Sequence, residues 1–116
     1  MHDIDEAVKE YFEYIIRKTK ETAIYPEAGA GTYYALSYVA LGLGEVGEYQ
    51  GKVKKYIRDG SLDLDGARKE LGDVFWYWIR NCVELGIDPV DVIEENIAKL
   101  QDRKARGVIQ GSGDDR

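Results

Sequence analysis

The sequence has very few of the residues that build disulfides, zinc centres or di-iron centres. It contains one cysteine, Cys82, and one histidine, His2, in 116 residues. One cysteine cannot form an intrachain disulfide, and a zinc centre needs several cysteines and histidines at short spacings. A di-iron carboxylate bundle needs Glu-x-x-His motifs on its helices, which a single histidine at position 2 does not provide. The sequence therefore argues against all three kinds of site.

An excess of positive charge and long hydrophobic runs are also missing. The 22 acidic residues outnumber the 16 Lys and Arg, and the formal net charge is −6. A surface that binds a nucleic-acid polymer needs a basic stripe instead. No run approaches the ~20 apolar residues that cross a bilayer, and residues 1–6 are acidic with no apolar signal core. We therefore expect a cytoplasmic chain that binds neither a nucleic-acid polymer nor a membrane.

Apolar residues recur every three or four positions along most of the chain, which is the pattern of amphipathic helices. The length is that of one domain, and we expect an all-α, four-helix antiparallel bundle over residues 1–107 with a flexible tail over 108–116. The predicted helices are 3–21 with Asp3 as N-cap, about 31 to 57, a third from the Asp63 or Asp65 cap to Gly86, and a fourth opened by Asp88 and Pro89.

Two carboxylate pairs, Glu45 with Glu48 and Glu70 with Asp73, lie on the second and third predicted helices. Helical residues three positions apart are neighbours with Cβ atoms about 5–6 Å apart, so each pair can grip one cation. Four carboxylates in one place repel each other and resist losing water, which a divalent ion relieves. One such pair usually marks only solvated surface, but two pairs beside two apolar seams predict a magnesium site.

The segment Gly42-Leu-Gly44-Glu-Val-Gly47 matches the G-x-G-x-x-G fingerprint of dinucleotide-binding proteins. That fingerprint needs a strand before it and a parallel strand later in the unit. The segment after Asp59 instead leads into another helix. We interpret the three glycines as points of close helix contact, within a second helix that runs through them without a break.

Basic and amide side chains on the second and fourth helices are candidates to bind phosphate oxygens, although a basic helix end often only faces the helix dipole. A tyrosine such as Tyr25, Tyr33 or Tyr34 is a candidate to stack on a nucleobase. The candidate substrate-binding residues are Lys52, Asn96, Lys99 and Arg103.

Three segments together resemble the MazG-like nucleotide pyrophosphohydrolases: LGLGEVGE at 41–48, KELGDVFWY at 69–77 and NIAKL at 96–100. The E-x-x-E and E-x-x-D motifs of that all-α superfamily fall on the two carboxylate pairs. Its later N-x-x-K-L element falls on Asn96, Lys99 and Leu100. The resemblance covers roughly residues 36–116 of the sequence.

The resemblance implies an enzyme that cleaves a nucleoside triphosphate to the monophosphate and pyrophosphate, assembled as a homo-oligomer, either a dimer or a tetramer. The expected cofactor is Mg²⁺, with Mn²⁺ as an alternative, held by Glu45, Glu48, Glu70 and Asp73. A metal-activated water attacks phosphorus, and Glu45 or Glu48 is the catalytic base. The alternative is a non-catalytic helical homo-oligomeric interaction module, whose acids face solvent or a partner.

Overall fold

The computed structural model describes residues 5–25, 32–111 and 113, and all the regular structure in these residues is helical. This confirms the all-α fold class. No helix in the described part of the chain is long and apolar enough to cross a membrane. The helices in chain order are α1 (Glu6–Thr22), α2 (Tyr33–Gly42), α3 (Glu45–Asp59), α4 (Leu64–Glu84) and α5 (Pro89–Arg106).

Helix α4 is the element against which the others pack, because α1, α2, α3 and α5 all contact it. With 21 residues it is the longest of the five. Its buried side chains include Ala67, Ile79 and Cys82. On another part of its surface, Trp76 and Tyr77 pack against a small core that contains Ala35 and Val39 of α2. The position of α4 therefore fixes the relative positions of the other helices.

The predicted second helix is interrupted, so the prediction of one continuous helix through the glycines was wrong. The Gly44 amide donates to the Leu41 carbonyl oxygen at 3.0 Å, and the Val46 amide donates to the Leu43 carbonyl oxygen at 3.1 Å. Hydrogen bonds that span three residues belong to the tighter 3₁₀ turn. This turn separates α2 from α3 and makes Glu45 the first residue of α3.

One of the three motif glycines, Gly42, makes the close helix contact that the sequence suggested. A Cβ atom at Gly42 would collide with the ring of Tyr77, so only glycine lets α4 approach α2 at this point. A Cβ at Gly44 would meet only the carbonyl oxygen of Leu41, and one at Gly47 would have nothing within 4 Å. Among the described residues of a single chain, Gly44 and Gly47 therefore make no close helix contact of this kind.

The helix ends follow local side-chain chemistry. Asp63 caps α4 by accepting from the Gly66 amide at 2.9 Å, and Asp88 caps α5 by accepting from the Val90 amide at 2.9 Å. Both predictions are confirmed, since a carboxylate here satisfies an amide that lacks a helical partner. The cap of α1 is Asp5, which accepts from the Ala7 amide at 2.7 Å. The predicted cap, Asp3, lies outside the described residues.

The contrast between two glycines gives a test of the α2–α4 contact. We expect Gly42→Ala to lower the free energy of unfolding by about 1–3 kcal/mol, because the added methyl group forces Tyr77 out of place. Gly47→Ala should raise it by up to about 1 kcal/mol, since alanine is the better helix former and its Cβ meets open space. Urea denaturation followed by circular dichroism measures both. Equal effects of the two substitutions would contradict the contact.

Candidate functional site

Three of the four predicted carboxylates meet where α3 packs on α4. Ligand oxygens of Glu45, Glu70 and Asp73 all lie within 4.8 Å of one another. Glu45 begins α3, whereas Glu70 and Asp73 are neighbours one turn apart on α4. Two oxygens that bind one Mg²⁺ at about 2.1 Å are separated by at most about 4.2 Å. The cluster is therefore close to the spacing that a single ion requires.

The fourth carboxylate, Glu48, is exposed on α3 and lies outside this group of three. It is one helical turn from Glu45, so the two side chains still influence each other. The structure thus brings together Glu45 with the Glu70–Asp73 pair, and it leaves Glu48 beside them. The assignment of Glu48 as a metal ligand stays a prediction.

Ionisation of all the carboxylates in the cluster together is unfavourable, because their negative charges repel one another. The pKa of the Glu45 carboxyl lies above its ordinary value of 4.5, chiefly because the group is partly desolvated. A hydrogen bond with Glu70 and the negative charges of Glu70, Asp73 and Glu48 raise this pKa further. A divalent cation bound among these oxygens would stabilise the ionised forms. The three carboxylates therefore offer the oxygen ligands that a hard cation could bind.

An open cleft of about 300 Å³ adjoins the carboxylates. Glu45 and Asp73 form one side of it, and Tyr38, Trp76 and Tyr77 provide aromatic surface. The Trp76 indole Nε1–H donates to the hydroxyl of Thr22 at 2.8 Å, while the rings of Trp76 and Tyr77 meet edge to face with centroids 5.0 Å apart. The cleft therefore presents acidic oxygens and aromatic rings to the same small volume. Its lining is Thr22, Ile24, Tyr38, Glu45, Asp73, Trp76 and Tyr77.

Sequence reasoning missed the aromatic lining. The suggested stacking residues Tyr33 and Tyr34 are 90% and 63% exposed and do not line this cleft, whereas Tyr25 is buried at 5% exposure. A usable signal was present, because Trp76 and Tyr77 follow Asp73 by three and four residues. That spacing places them on the same side of a helix as the carboxylate.

Among the described residues, none of the predicted phosphate-binding residues lines the cleft beside the carboxylates. Lys52 pairs with Asp63 at 3.3 Å, near the connection between α3 and α4. Asn96 and Lys99 line a different groove, of about 550 Å³, beside Trp78. Arg103 is only 3% exposed. Their assignment as substrate-binding residues stays a prediction.

Comparison with known proteins gives an independent result. The family model described as the MazG nucleotide pyrophosphohydrolase domain matches residues 34–108. The Gene 37 protein of Mycobacterium phage L5 is 48% identical over 103 residues, which covers 83% of this chain and 90% of that protein. No solved structure matches the chain. The matched family region includes the carboxylate cluster together with Tyr38, Trp76 and Tyr77, whereas α1 and Tyr25 precede it.

The raised pKa of Glu45 predicts how pH and Mg²⁺ act on stability. Because the pKa is higher in the folded chain, the unfolded chain releases this proton first as pH rises above the ordinary value of 4.5. The free energy of unfolding of the metal-free chain therefore falls as pH rises through this range, and it stays lower at neutral pH. We expect Mg²⁺ to raise the melting temperature more at about pH 8 than at about pH 5, where the carboxyl is less ionised.

Glu45→Gln should raise the metal-free melting temperature at about pH 8, because it removes one of the repelling charges. It should also reduce the response to Mg²⁺. Glu13→Gln, which changes an exposed carboxylate on α1, is the matched control and should keep the full response. Differential scanning calorimetry measures both. An equal Mg²⁺ response in the two variants would contradict a metal site at Glu45.

Proposed function

Because the chain belongs to the MazG nucleotide pyrophosphohydrolase family, we propose that it hydrolyses nucleoside triphosphates to the monophosphate and pyrophosphate with the help of Mg²⁺. The observation that carries the proposal is the convergence of Glu45, Glu70 and Asp73, two of which, Glu45 and Asp73, line a cleft that also has aromatic walls. A triphosphate needs its charge neutralised, and a nucleoside needs a flat apolar surface. The two requirements are met within one small volume.

The donor set fits magnesium. All three converging side chains offer carboxylate oxygens, which are the ligands that Mg²⁺ prefers, and Mn²⁺ accepts the same set. In the proposed enzyme Glu45, Glu70 and Asp73 hold the ion, and Glu48 joins them after a change of side-chain rotamer. The bound ion supplies charge neutralisation for the triphosphate and Lewis acidity for the attacking water.

We assign the role of general base to Glu45, with Glu48 as the alternative. A general base must lie within reach of the water that it deprotonates, and Glu45 belongs to the carboxylate cluster proposed to hold the metal. Glu45 also lines the cleft, so its carboxylate faces the volume that a substrate would enter.

The nucleoside is proposed to occupy the aromatic part of the cleft. Pockets for small ligands start at about 300 Å³, and the volume beside Tyr38, Trp76 and Tyr77 is about 300 Å³. Stacking of a base on an aromatic side chain contributes about 1–3 kcal/mol and depends little on which base is bound. The aromatic surface therefore supports binding of nucleotides as a class, and it leaves the preferred base open.

We further propose that the active form is a homo-oligomer, a dimer or a tetramer. The radius of gyration is 16.9 Å, whereas a compact chain of this length has about 13 Å. Helix α3 buries no residue in the single chain, so its apolar side chains are available to a second copy. Large apolar side chains that are more than two-fifths exposed on α2, α3 and α4 include Leu41, Tyr56, Ile57, Leu64, Leu71 and Phe75.

Association would also allow the predicted phosphate-binding residues of one copy to contact a triphosphate bound by another copy. Lys52 pairs with Asp63, and Asn96 and Lys99 line a groove other than the one beside the carboxylates. We propose that some of them reach the triphosphate bound by a neighbouring copy, where their positive charge and amide donors would stabilise charge on the phosphate oxygens. This arrangement would place the active site near the contact between copies.

Activity measurements on single carboxylates test the proposed site. Glu45→Gln and Asp73→Asn should each lower the rate of Mg²⁺-dependent pyrophosphate release by at least about 100-fold, because each removes a ligand and Glu45→Gln also removes the base. Glu48→Gln should do the same if Glu48 joins the site. The assay is a panel of the common nucleoside triphosphates scored separately for pyrophosphate and orthophosphate.

Glu13→Gln is the control, and it should keep the rate of the unsubstituted chain. Circular dichroism should show the same helical signal in every variant. Orthophosphate as the first product, or full activity in Glu45→Gln, would contradict the proposed reaction. Full activity in Glu48→Gln alone would remove Glu48 from the site and leave the other three carboxylates in place.

The proposed association predicts a mass of at least twice 13.1 kDa in solution. Ile57→Gln should raise the dissociation constant about tenfold or more, because burial of an isoleucine side chain contributes about 1.5–3 kcal/mol. Lys55→Gln changes an exposed side chain on the same helix and should have little effect. Light scattering during a dilution series measures both. A monomeric chain at all concentrations would contradict the proposal.

A further inference from the structure

A buried ion pair lies on α4 behind the aromatic wall of the cleft. Arg80 and Glu84 are 0% and 1% exposed, and the Arg80 guanidinium contacts Glu84 Oε2 at 3.3 Å. Removing two charges from water is unfavourable unless good geometry and further hydrogen bonds offset the loss. A small helical chain gains no obvious stability from such a pair compared with apolar side chains. The other contacts of the pair therefore indicate its role.

The hydroxyl of Tyr25 is hydrogen-bonded to both members of this ion pair. It accepts a hydrogen bond from Arg80 Nε at 3.0 Å and donates one to Glu84 Oε2 at 3.1 Å. Glu84 Oε1 is buried with no hydrogen-bond partner among the described residues. The described hydrogen bonds of Glu84 therefore converge on one oxygen, which Arg80 and Tyr25 share. Two directional bonds hold the tip of the Tyr25 side chain in one position.

The ring of Tyr25 carries this constraint to the cleft. It stacks on the ring of Tyr38 with centroids 4.9 Å apart, and Tyr38 is near enough to Tyr77 to raise the pKa of the Tyr77 hydroxyl, although desolvation by burial is the larger cause. Tyr38, Trp76 and Tyr77 all pack against the core cluster that contains Tyr25, and all three line the cleft. A movement of the Tyr25 ring would therefore change the aromatic surface that faces the cleft.

The two hydrogen bonds of the Tyr25 hydroxyl, to Arg80 and Glu84, are called the Tyr25 anchor below. This anchor also holds residues 23–25, which follow α1. Tyr25 comes directly after Ile24, and Ile24 lines the cleft although its side chain is 88% exposed. Because the Tyr25 hydroxyl is bonded to α4, the position of Ile24 beside the cleft is restricted as well. Arg80 donates a further hydrogen bond to the Thr19 hydroxyl of α1 at 3.4 Å. Thr19 near the end of α1 and Tyr25 beyond it are thus both tied to α4 by the same buried arginine.

We propose that Tyr25, held by Arg80 and Glu84, is a positioning residue that sets the shape of the nucleoside side of the cleft. This inference rests on the proposed nucleotide hydrolysis. Tyr25 does not line the cleft, so it acts through the ring of Tyr38 and the position of Ile24. The Tyr25 ring stacks on Tyr38 and belongs to the core against which Trp76 and Tyr77 pack, so we expect the anchor to affect nucleotide binding more than the metal or the attacking water.

Tyr25→Phe tests the proposal because it removes the hydroxyl and keeps the ring. The substrate is the common nucleoside triphosphate that the unsubstituted chain hydrolyses fastest with Mg²⁺. The expected result is a rise in KM of about tenfold with kcat within about twofold and an unchanged dependence on Mg²⁺ concentration. Tyr11→Phe removes a hydroxyl from a tyrosine that is 63% exposed on α1 and should change neither constant. An unchanged KM in Tyr25→Phe, measured well below its melting temperature, would overturn the proposal.

A double substitution on α4 removes the two residues that bond the Tyr25 hydroxyl. Arg80→Met with Glu84→Leu removes both charges together, so neither is left buried by itself. This double variant should show the KM rise of Tyr25→Phe, and adding Tyr25→Phe to it should raise KM no further, because all three residues act as one unit. An unchanged KM in the double variant, or rises that multiply, would overturn the proposal.

A measurement that does not depend on catalysis separates this inference from the proposed function. The sequence has two tryptophans, Trp76 and Trp78. The substitution Trp78→Phe therefore leaves only Trp76. In that background, Tyr25→Phe should increase quenching of Trp76 fluorescence by acrylamide, because the aromatic wall loosens, and Tyr11→Phe should not. Unchanged quenching would overturn the positioning role. If the unsubstituted chain hydrolyses no nucleotide, the proposed function fails, and quenching by itself decides whether the anchor shapes the cleft.

Discussion

Repulsion among three carboxylates within 4.8 Å of one another is the constraint on which the proposed site depends. The fold brings Glu45 to Glu70 and Asp73 because α3 packs along α4, and the 3₁₀ turn at Leu43 and Gly44 places Glu45 at the start of its helix. The N-terminal end of a helix favours negative charge, which offsets part of the repulsion. Desolvation and the remaining repulsion together raise the pKa of Glu45, and a bound divalent cation would offset the repulsion.

Helix α4 combines three kinds of chemistry along one stripe. The residues at positions 70, 73, 77, 80 and 84 follow each other at spacings of three and four, so they lie on one side of the helix. The first two are carboxylates of the cluster, Tyr77 belongs to the aromatic wall, and the last two form the buried ion pair. A shift of α4 would therefore disturb the proposed metal, nucleoside and anchor positions together. Gly42 limits such a shift, because α2 lies directly against Tyr77.

The sequence predicts what depends on neighbours along one helix and fails where separate helices meet. The caps Asp63 and Asp88 were found because a carboxylate before an apolar-periodic segment acts locally. The break at Leu43 and Gly44 was missed because a single 3₁₀ turn leaves the apolar spacing nearly intact. The pairing of Glu45, but not Glu48, with α4 depends on the rotation of α3, which periodicity does not resolve. The aromatic wall was missed because nine tyrosines give many equivalent candidates, and only packing separates Tyr38 from Tyr33.

The most direct test of the account is anomalous diffraction from crystals grown with Mn²⁺ and a non-hydrolysable nucleoside triphosphate analogue. Mn²⁺ accepts the same oxygen ligands as Mg²⁺, and its anomalous signal locates it without reference to the surrounding protein. The account predicts a peak between Glu45, Glu70 and Asp73, with phosphate oxygens of the analogue on its open side. A peak elsewhere, or an analogue bound with no ion among these three carboxylates, would contradict it.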